Sequence, residues 1–232
     1  RFFSYFPNGR SNSVFPMTDL IIIGAGHAAI EAALSGARLG HSTLLITLDK
    51  TKICQMSCNP AVGGVGKGQV VREIDALGGE MARATDRAGL QFKMLNRGKG
   101  PAVWSPRVQC DRTLYRDVMT ETVRNQPNLT VLEDEVVALL VEGGRVTGVR
   151  AARSGDIHAR AVVIGAGTFM KGLMHRGFNT MPGGRIDEKP ASHISESLRS
   201  LGFEVGRLKT GTPPRLDGRT IDYTKCVLAP GD

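Results

Sequence analysis

Aromatic side chains are scarce in this 232-residue chain, only 5% of residues. A β-sandwich leans on aromatics for its core, and so few of them beside 29 glycines suit an α/β nucleotide-binding fold better. Cysteine is also sparse: Cys54, Cys58, Cys110 and Cys226 are the only four. That is too few for a disulfide scaffold and points to a reducing compartment. Cys54 and Cys58 have no second pair and no nearby histidine, which excludes a zinc site. No apolar run is long enough to span a membrane. Acids are outnumbered, 22 against 30 Lys and Arg, giving a net charge of +8. Such a balance favours a polyanionic partner, either nucleic acid or a phosphate-bearing cofactor.

With 41% hydrophobic residues, the chain can build a globular core. Residues 1–16 are aromatic, Ser/Asn-rich and free of acids, and imitate a transit peptide. The chain begins at Arg1, however, and Met17-Thr18-Asp19 leads straight into a strand. We read Met17 as the natural start and 1–16 as a non-native extension or disordered leader. Residues 17–232 read as one α/β domain.

Leu20-Ile21-Ile22-Ile23 is a continuous apolar run, the mark of a buried parallel strand. Gly24-Ala25-Gly26 ends it. His27 to Leu39 carries Ala and Leu at helical spacing and stops at Gly40. Thr43 to Thr47 is the second strand, completing a βαβ unit. A long loop over 51–68 follows, then a helix over 69–84 broken at Gly78-Gly79. Residues 93–116 form a basic region with Lys93, Arg97, Lys99, Arg107, Arg112 and Arg116 against the single acid Asp111. A helix is expected over 113–125. Strands at 129–132, 136–141 and 146–151 read as a small antiparallel meander. Ala161 to Ile164 is a further buried strand, ended by Gly165-Ala166-Gly167. A helix over 192–201 precedes a loop-rich tail.

Gly24-Ala25-Gly26-His27-Ala28-Ala29 fits G-x-G-x-x-G/A between a strand and a helix. Gly24 allows the tight turn, Gly26 lets a pyrophosphate reach the backbone, and Ala29 permits close helix–strand packing. Asp49 lies where an acid would take the ribose hydroxyls, although an ordinary loop aspartate reads the same way. A fingerprint, a β-meander, then a strand ending in the Gly165–Gly167 turn is the order of FAD-binding two-dinucleotide-fold proteins. Ala61 to Gly68 imitates a phosphate loop but lacks its first glycine, its hydroxyl and a preceding strand.

Cys58 sits in the polar stretch QMSCNPAVGGVGKG, outside any apolar run. Lys67 and a following helix N-terminus could favour its thiolate, the nucleophilic form; the alternative is an inert loop thiol. Trp104 and Tyr115 interleave with the basic region, a pattern suited to RNA or simply to a solvated face.

IIIGAGHAAIEAA, QMSCNPAVGGVGKG, VREIDALGGEMA, LNRGKGPAVWSPRVQCDR and GRLKTGTPPR together closely resemble one family. It is the large flavoprotein subunit of the tRNA uridine 5-carboxymethylaminomethyl modification enzyme, MnmG or GidA. The resemblance runs from about Asp19 to Asp222. It implies FAD as cofactor, NADH as reductant and methylene-tetrahydrofolate as one-carbon donor. It also implies a carboxymethylaminomethyl or aminomethyl group placed on C5 of the wobble uridine of tRNA, a homodimer, a GTP-hydrolysing partner and a cytoplasmic setting. It puts Cys58 among the catalytic residues. The backbone near Val136 would meet the adenine end of FAD, and Gly167 and Ser192 would lie close to the cofactor. The family usually has Gly where this chain has Ala29 and Cys54, and its members are more than twice as long. This chain therefore resembles an N-terminal FAD-binding portion, incomplete at its C-terminus, with an inserted domain starting near 210–232. The alternatives are a non-catalytic FAD- or tRNA-binding module and a folate- and FAD-dependent tRNA uridine methyltransferase.

Overall fold

The structure, a computed structural model, describes residues 16–57, 59–211, 213–214 and 216–232. Cys58 and nearly all of the 1–16 leader lie outside the described residues. The expected βαβ unit is present: β1 (Thr18–Ile23), α1 (His27–Arg38) and β2 (Thr43–Thr47). The pleat of β1 sends Ile22 to one face and Ile21 and Ile23 to the other, and β2 divides Leu45 from Leu44 and Ile46 in the same way. Both faces are covered, which is why these strands read as unbroken apolar runs.

The helix expected over 69–84 is two helices, α2 (Lys67–Ala76) and α3 (Met81–Ala88), parted at the predicted glycines. Their joint is tied to α1. The Glu31 carboxylate accepts from the backbone N–H groups of Glu80 (3.0 Å) and Met81 (2.5 Å), capping α3 from another helix. Arg38 donates to the Gly78 carbonyl and pairs with Glu80 at 2.6 Å.

The basic region is divided between two strands, which carry Lys93 and Arg107, a 3-10 turn with Arg97 and Lys99, and the start of a helix with Arg112 and Arg116. Strands β3 (Ala61–Gly63), β4 (Gly89–Leu95) and β5 (Ser105–Cys110) form a separate antiparallel sheet in the order β3-β5-β4. Ala61 lies within β3 itself, so among the described residues no strand leads directly into the phosphate-loop lookalike. The lone acid of the region, Asp111, caps α4 (Arg112–Asn125) by accepting from Thr113 and Leu114 N–H at 2.8 and 2.9 Å. Tyr115, read as a partner for RNA bases, is instead fully buried in the core against His27, with ring centroids 5.6 Å apart.

Strands β6 (Leu129–Glu133), β7 (Val136–Glu142), β8 (Arg145–Ala151) and β9 (Gly155–Ile164) complete a six-stranded sheet ordered β6-β2-β1-β9-β8-β7. The meander expectation needs correcting here. β6 is not part of it but pairs in parallel with β2, because α4 carries the chain across to that edge. The third meander strand is β9, which is antiparallel to β8 over 155–158 and parallel to β1 over 159–164. A small hairpin follows, β10 (Leu173–Arg176) with β11 (Asn179–Pro182). The last helix, α5 (Ile194–Ser200), packs on β7, where Ser197 Oγ accepts from Leu139 N–H at 3.0 Å. No helix among the described residues is long and apolar enough to cross a membrane.

Candidate cofactor site

The parallel strands β6-β2-β1-β9 have the 3-2-1-4 order of a doubly wound sheet. The direction of strand addition reverses between β1 and β9, and in such sheets a ligand binds at the carboxyl ends of the strands where the order reverses. Gly24 and Gly165 follow those two strand ends. Gly24 N–H donates to Ile46 O and Gly165 N–H to Ile23 O, both at 2.8 Å. Gly24 has φ +100°, and a Cβ there would lie 2.6 Å from the Gly165 carbonyl oxygen, so this turn admits only glycine.

Gly26 is the N-cap of α1 and offers no side-chain cap. A Cβ on it would meet nothing within 4 Å, so the space beside the start of α1 is open. That is the cradle a pyrophosphate requires: orphan donors, the positive end of the helix dipole and no side chain in the way. Ala25 and Ala28 flank it, and Ala29 is buried beneath.

His27 Nε2 is buried without a hydrogen-bond partner among the described residues. Burial, then the positive charges of Lys67 and Arg185, lower the His27 pKa to about 4, so the imidazole is neutral at pH 7. Asp49 lies just beyond β2 and accepts from Thr51 N–H (2.7 Å) and Thr51 Oγ1 (2.6 Å). The hydroxyl bond leads the causes that hold its carboxyl below the usual range, with Lys52 and Arg185 contributing weaker pulls.

The remaining sequence-derived residues gather on the same edge. Asp134 N–H donates to Thr47 O at 2.9 Å, and Lys50 N–H to Glu133 Oε2 at 3.1 Å, drawing the start of β7 toward Asp49. Val136 is buried there and registers with Ala151. The turn before it is pinned by the buried Asp134 carboxylate, which accepts from Ser154 Oγ (2.7 Å) and Ser154 N–H (2.9 Å). Ser192 N–H donates to Glu135 Oε1 at 3.2 Å, setting Ser192 beside Val136. Gly167, at φ +57°, opens the 3-10 turn that leaves β9. That turn is tied to the Ser192 segment, because Ala191 N–H donates to Phe169 O at 2.9 Å. The structure thus brings Gly24–Ala29, Asp49, Val136, Gly167 and Ser192 together.

Sequence reasoning missed Arg185, whose charge reaches both His27 and Asp49. A Gly-Gly-Arg turn following a hairpin was its only signal. Within the basic region, Lys93 and Arg107 are direct cross-strand partners, and Gln91 faces Gln109 beside them. Like charges placed opposite one another are unfavourable unless an anion joins them. Lys93 Nζ donates to Pro230 O, whereas Arg107 has no carboxylate partner among the described residues. Arg97 pairs with Asp232 and Arg116 with Asp117.

Fold and edge define a Rossmann-like α/β domain of the FAD-binding type. The chain belongs to the Glucose inhibited division protein A family, whose model matches residues 19–232. A tRNA uridine 5-carboxymethylaminomethyl modification enzyme MnmG from Chlorobium chlorochromatii is 52% identical over 217 residues, 93% of this chain and 35% of that protein. The enzyme of the same description from Phocaeicola vulgatus is 54% identical over 205 residues, 88% of this chain and 33% of that protein. Aquifex aeolicus GidA in its form II crystal superposes with a TM-score of 0.88 at 49% identity, over 93% of this chain and 36% of that one. The GidA-related protein of Thermus thermophilus, at 20% identity and a TM-score of 0.59 over 82% of this chain and 70% of that one, shares the fold. The chain therefore spans about a third of the length of the curated relatives it matches.

Proposed function

We propose that the protein carrying this chain is an FAD-dependent tRNA-modifying enzyme, acting in the cytoplasm on C5 of the wobble uridine. The group attached is carboxymethylaminomethyl or aminomethyl. The one-carbon unit comes from methylene-tetrahydrofolate, the reducing equivalents from NADH, and the protein works as a homodimer with a GTP-hydrolysing partner. The observation that carries the reading is the open, uncapped N-terminus of α1 at the strand-order reversal, in a chain 52% identical to an MnmG.

FAD, when bound, supplies redox chemistry at the carbon delivered by the folate. The chain's own residues bind and orient. The N–H groups following Gly26 take the pyrophosphate. The ionised Asp49 accepts from the ribose hydroxyls. The backbone at Val136 meets the adenine, with Gly167 and Ser192 closing the same side. Neutral His27 adds no further positive charge to those of Lys67 and Arg185 at the start of α1. The Cys58 thiolate adds to uracil C6, its sulfur forming the new bond as the C5–C6 π pair moves onto C5 and O4. C5 then attacks the folate-derived methylene, whose C–N π pair moves onto the folate nitrogen. Loss of the C5 proton expels the thiolate and restores the ring, and the amine of glycine or ammonia displaces tetrahydrofolate from the new carbon, leaving the carboxymethylaminomethyl or aminomethyl group. The Lys93/Arg107 face of β4 and β5 supplies phosphate contacts to the tRNA.

The test is the full-length protein in cells lacking this modification, with tRNA nucleosides read by mass spectrometry. The carboxymethylaminomethyl or aminomethyl nucleoside should return, and Cys58→Ser should abolish it while the purified protein keeps its flavin absorbance. Unmodified wobble uridine with the parent protein, or a methyl group elsewhere, would overturn the reading. Full activity of Cys58→Ser would remove Cys58 from the mechanism.

A further inference from the structure

Arg185 has a position that the fold alone does not explain. The chain leaves β11 at Pro182, and Gly183 N–H donates to Gly172 O at 2.9 Å, folding the next residues back toward the β9 turn. An isolated bridge joins Arg185 and Glu188. The guanidinium carbon stands 5.0 Å from the centroid of the Phe169 ring, a stacked cation–π arrangement. Residue 184 must lack a side chain for this, because a Cβ on Gly184 would fall 2.5 Å from the ring. Phe169 closes the 3-10 turn that starts at Gly167, directly after the Gly165 contact with Gly24. The stack therefore holds Arg185 next to the strand-order reversal.

Two of its nitrogens have no acceptor. Nε and Nη1 are both buried without a hydrogen-bond partner among the described residues. Glu188 Oε1 lies 3.4 Å from Nη1, within ion-pair range but without hydrogen-bond alignment. Buried N–H groups that lack acceptors are unfavourable unless something else supplies oxygen atoms. Its charge reaches His27 at the start of α1 and Asp49 beyond β2, consistent with the place the Phe169 stack gives it beside the Gly24–Gly165 crossing. A planar fork of donors there matches a phosphate.

We propose that Arg185, through Nε and Nη1, donates to a phosphate oxygen of the dinucleotide seated on the N-terminus of α1. This rests on the FAD reading above. Phe169 and Gly184 orient the fork, and Glu188 screens its charge until the phosphate arrives.

The experiment is titration of FAD into flavin-stripped full-length protein, followed by flavin fluorescence, with tRNA affinity measured in parallel. Arg185→Gln should weaken FAD binding by roughly 10- to 100-fold, the range for losing charge-assisted hydrogen bonds, and leave tRNA affinity within about twofold. Arg185→Lys should recover part of the loss. Glu188→Gln, which removes the competing carboxylate, should tighten FAD and decides the matter if Arg185→Gln does not fold. FAD affinity unchanged in both Arg185→Gln and Glu188→Gln would make Arg185 a strut for the hairpin and overturn the inference. Loss of tRNA affinity with FAD retained would overturn it too, assigning the phosphate to nucleic acid. A parent protein that binds no FAD would sink the functional reading as well, whereas a parent that binds FAD alongside an equally competent Arg185→Gln sinks this inference alone.

Discussion

The Cβ of Ala29 occupies the space that a side chain on Gly165 would need: a Cβ built on Gly165 would lie 2.6 Å from it. The two residues thus set how closely α1 approaches the end of β9. Enlarging either one should overpack this contact. Ala29→Val and Gly165→Ala are each expected to cost about 1–3 kcal/mol in urea denaturation. Pairing Gly165→Ala with Ala29→Gly should recover part of that loss. Strict additivity in the double-mutant cycle would show that the contact is not the cause.

His27 should give the protein a pH-dependent stability. Its folded-state pKa is about 4 against an ordinary 6.5, because burial and the nearby positive charges of Lys67 and Arg185 disfavour imidazolium. Above pH 6.5 neither state binds this proton and the contribution is fully present. As pH falls from 6.5 toward 4 the unfolded chain takes up the proton first and the folded state loses ground. The slope for one such proton is at most about 1.4 kcal/mol per pH unit. Thermal unfolding of the parent should weaken across that window, and His27→Asn should flatten it. Parallel curves for the two proteins would contradict the assignment.

Cys54 offers a test of backbone strain. It is buried, adopts φ +49°, and donates its N–H to Ala25 O at 2.9 Å. A non-glycine residue in this conformation costs roughly 1–2 kcal/mol. Cys54→Ala keeps the strain and loses the thiol's packing. Cys54→Gly loses slightly more surface but sheds the strain. The glycine variant should be at least as stable as the alanine variant, the reverse of the order at an ordinary helix or strand position, where Gly falls below Ala by about 0.5–1 kcal/mol. Calorimetry on the pair decides it. The family resemblance, with Gly usual at this position, accords with the same strain.

The parts of the fold legible in the sequence were those whose signal is local. The β1–α1–β2 unit announced itself because two-sided burial makes its strands uniformly apolar and the Gly24–Gly26 turn punctuates them. The break at Gly78-Gly79 was visible for a similar reason. Partner choice was not. β6 has a mixed burial pattern and precedes two hairpin strands, so it read as a third meander strand, although its mate β2 lies some eighty residues upstream. The β3-β5-β4 sheet escaped because β3 is only three residues long, β5 contains a proline, and the basic residues of β4 and β5 interrupt any apolar period. Tyr115 was misplaced by its basic neighbours, whereas its own face of α4 points into the core. At the site, the glycine turn and Asp49 were readable, but Arg185 depends on a stack with Phe169 that no sequence spacing encodes.

β9 has a consequence beyond topology. One strand serves as the last rung of the meander and as the flank of β1 beside the cleft. Neither part of the sheet can open without breaking hydrogen bonds along the same ten residues, Gly155–Ile164. The meander and the cofactor edge are therefore one cooperative unit in local unfolding. A ligand bound at Gly24 and Gly165 is therefore expected to slow amide exchange as far away as the β7–β8 hairpin.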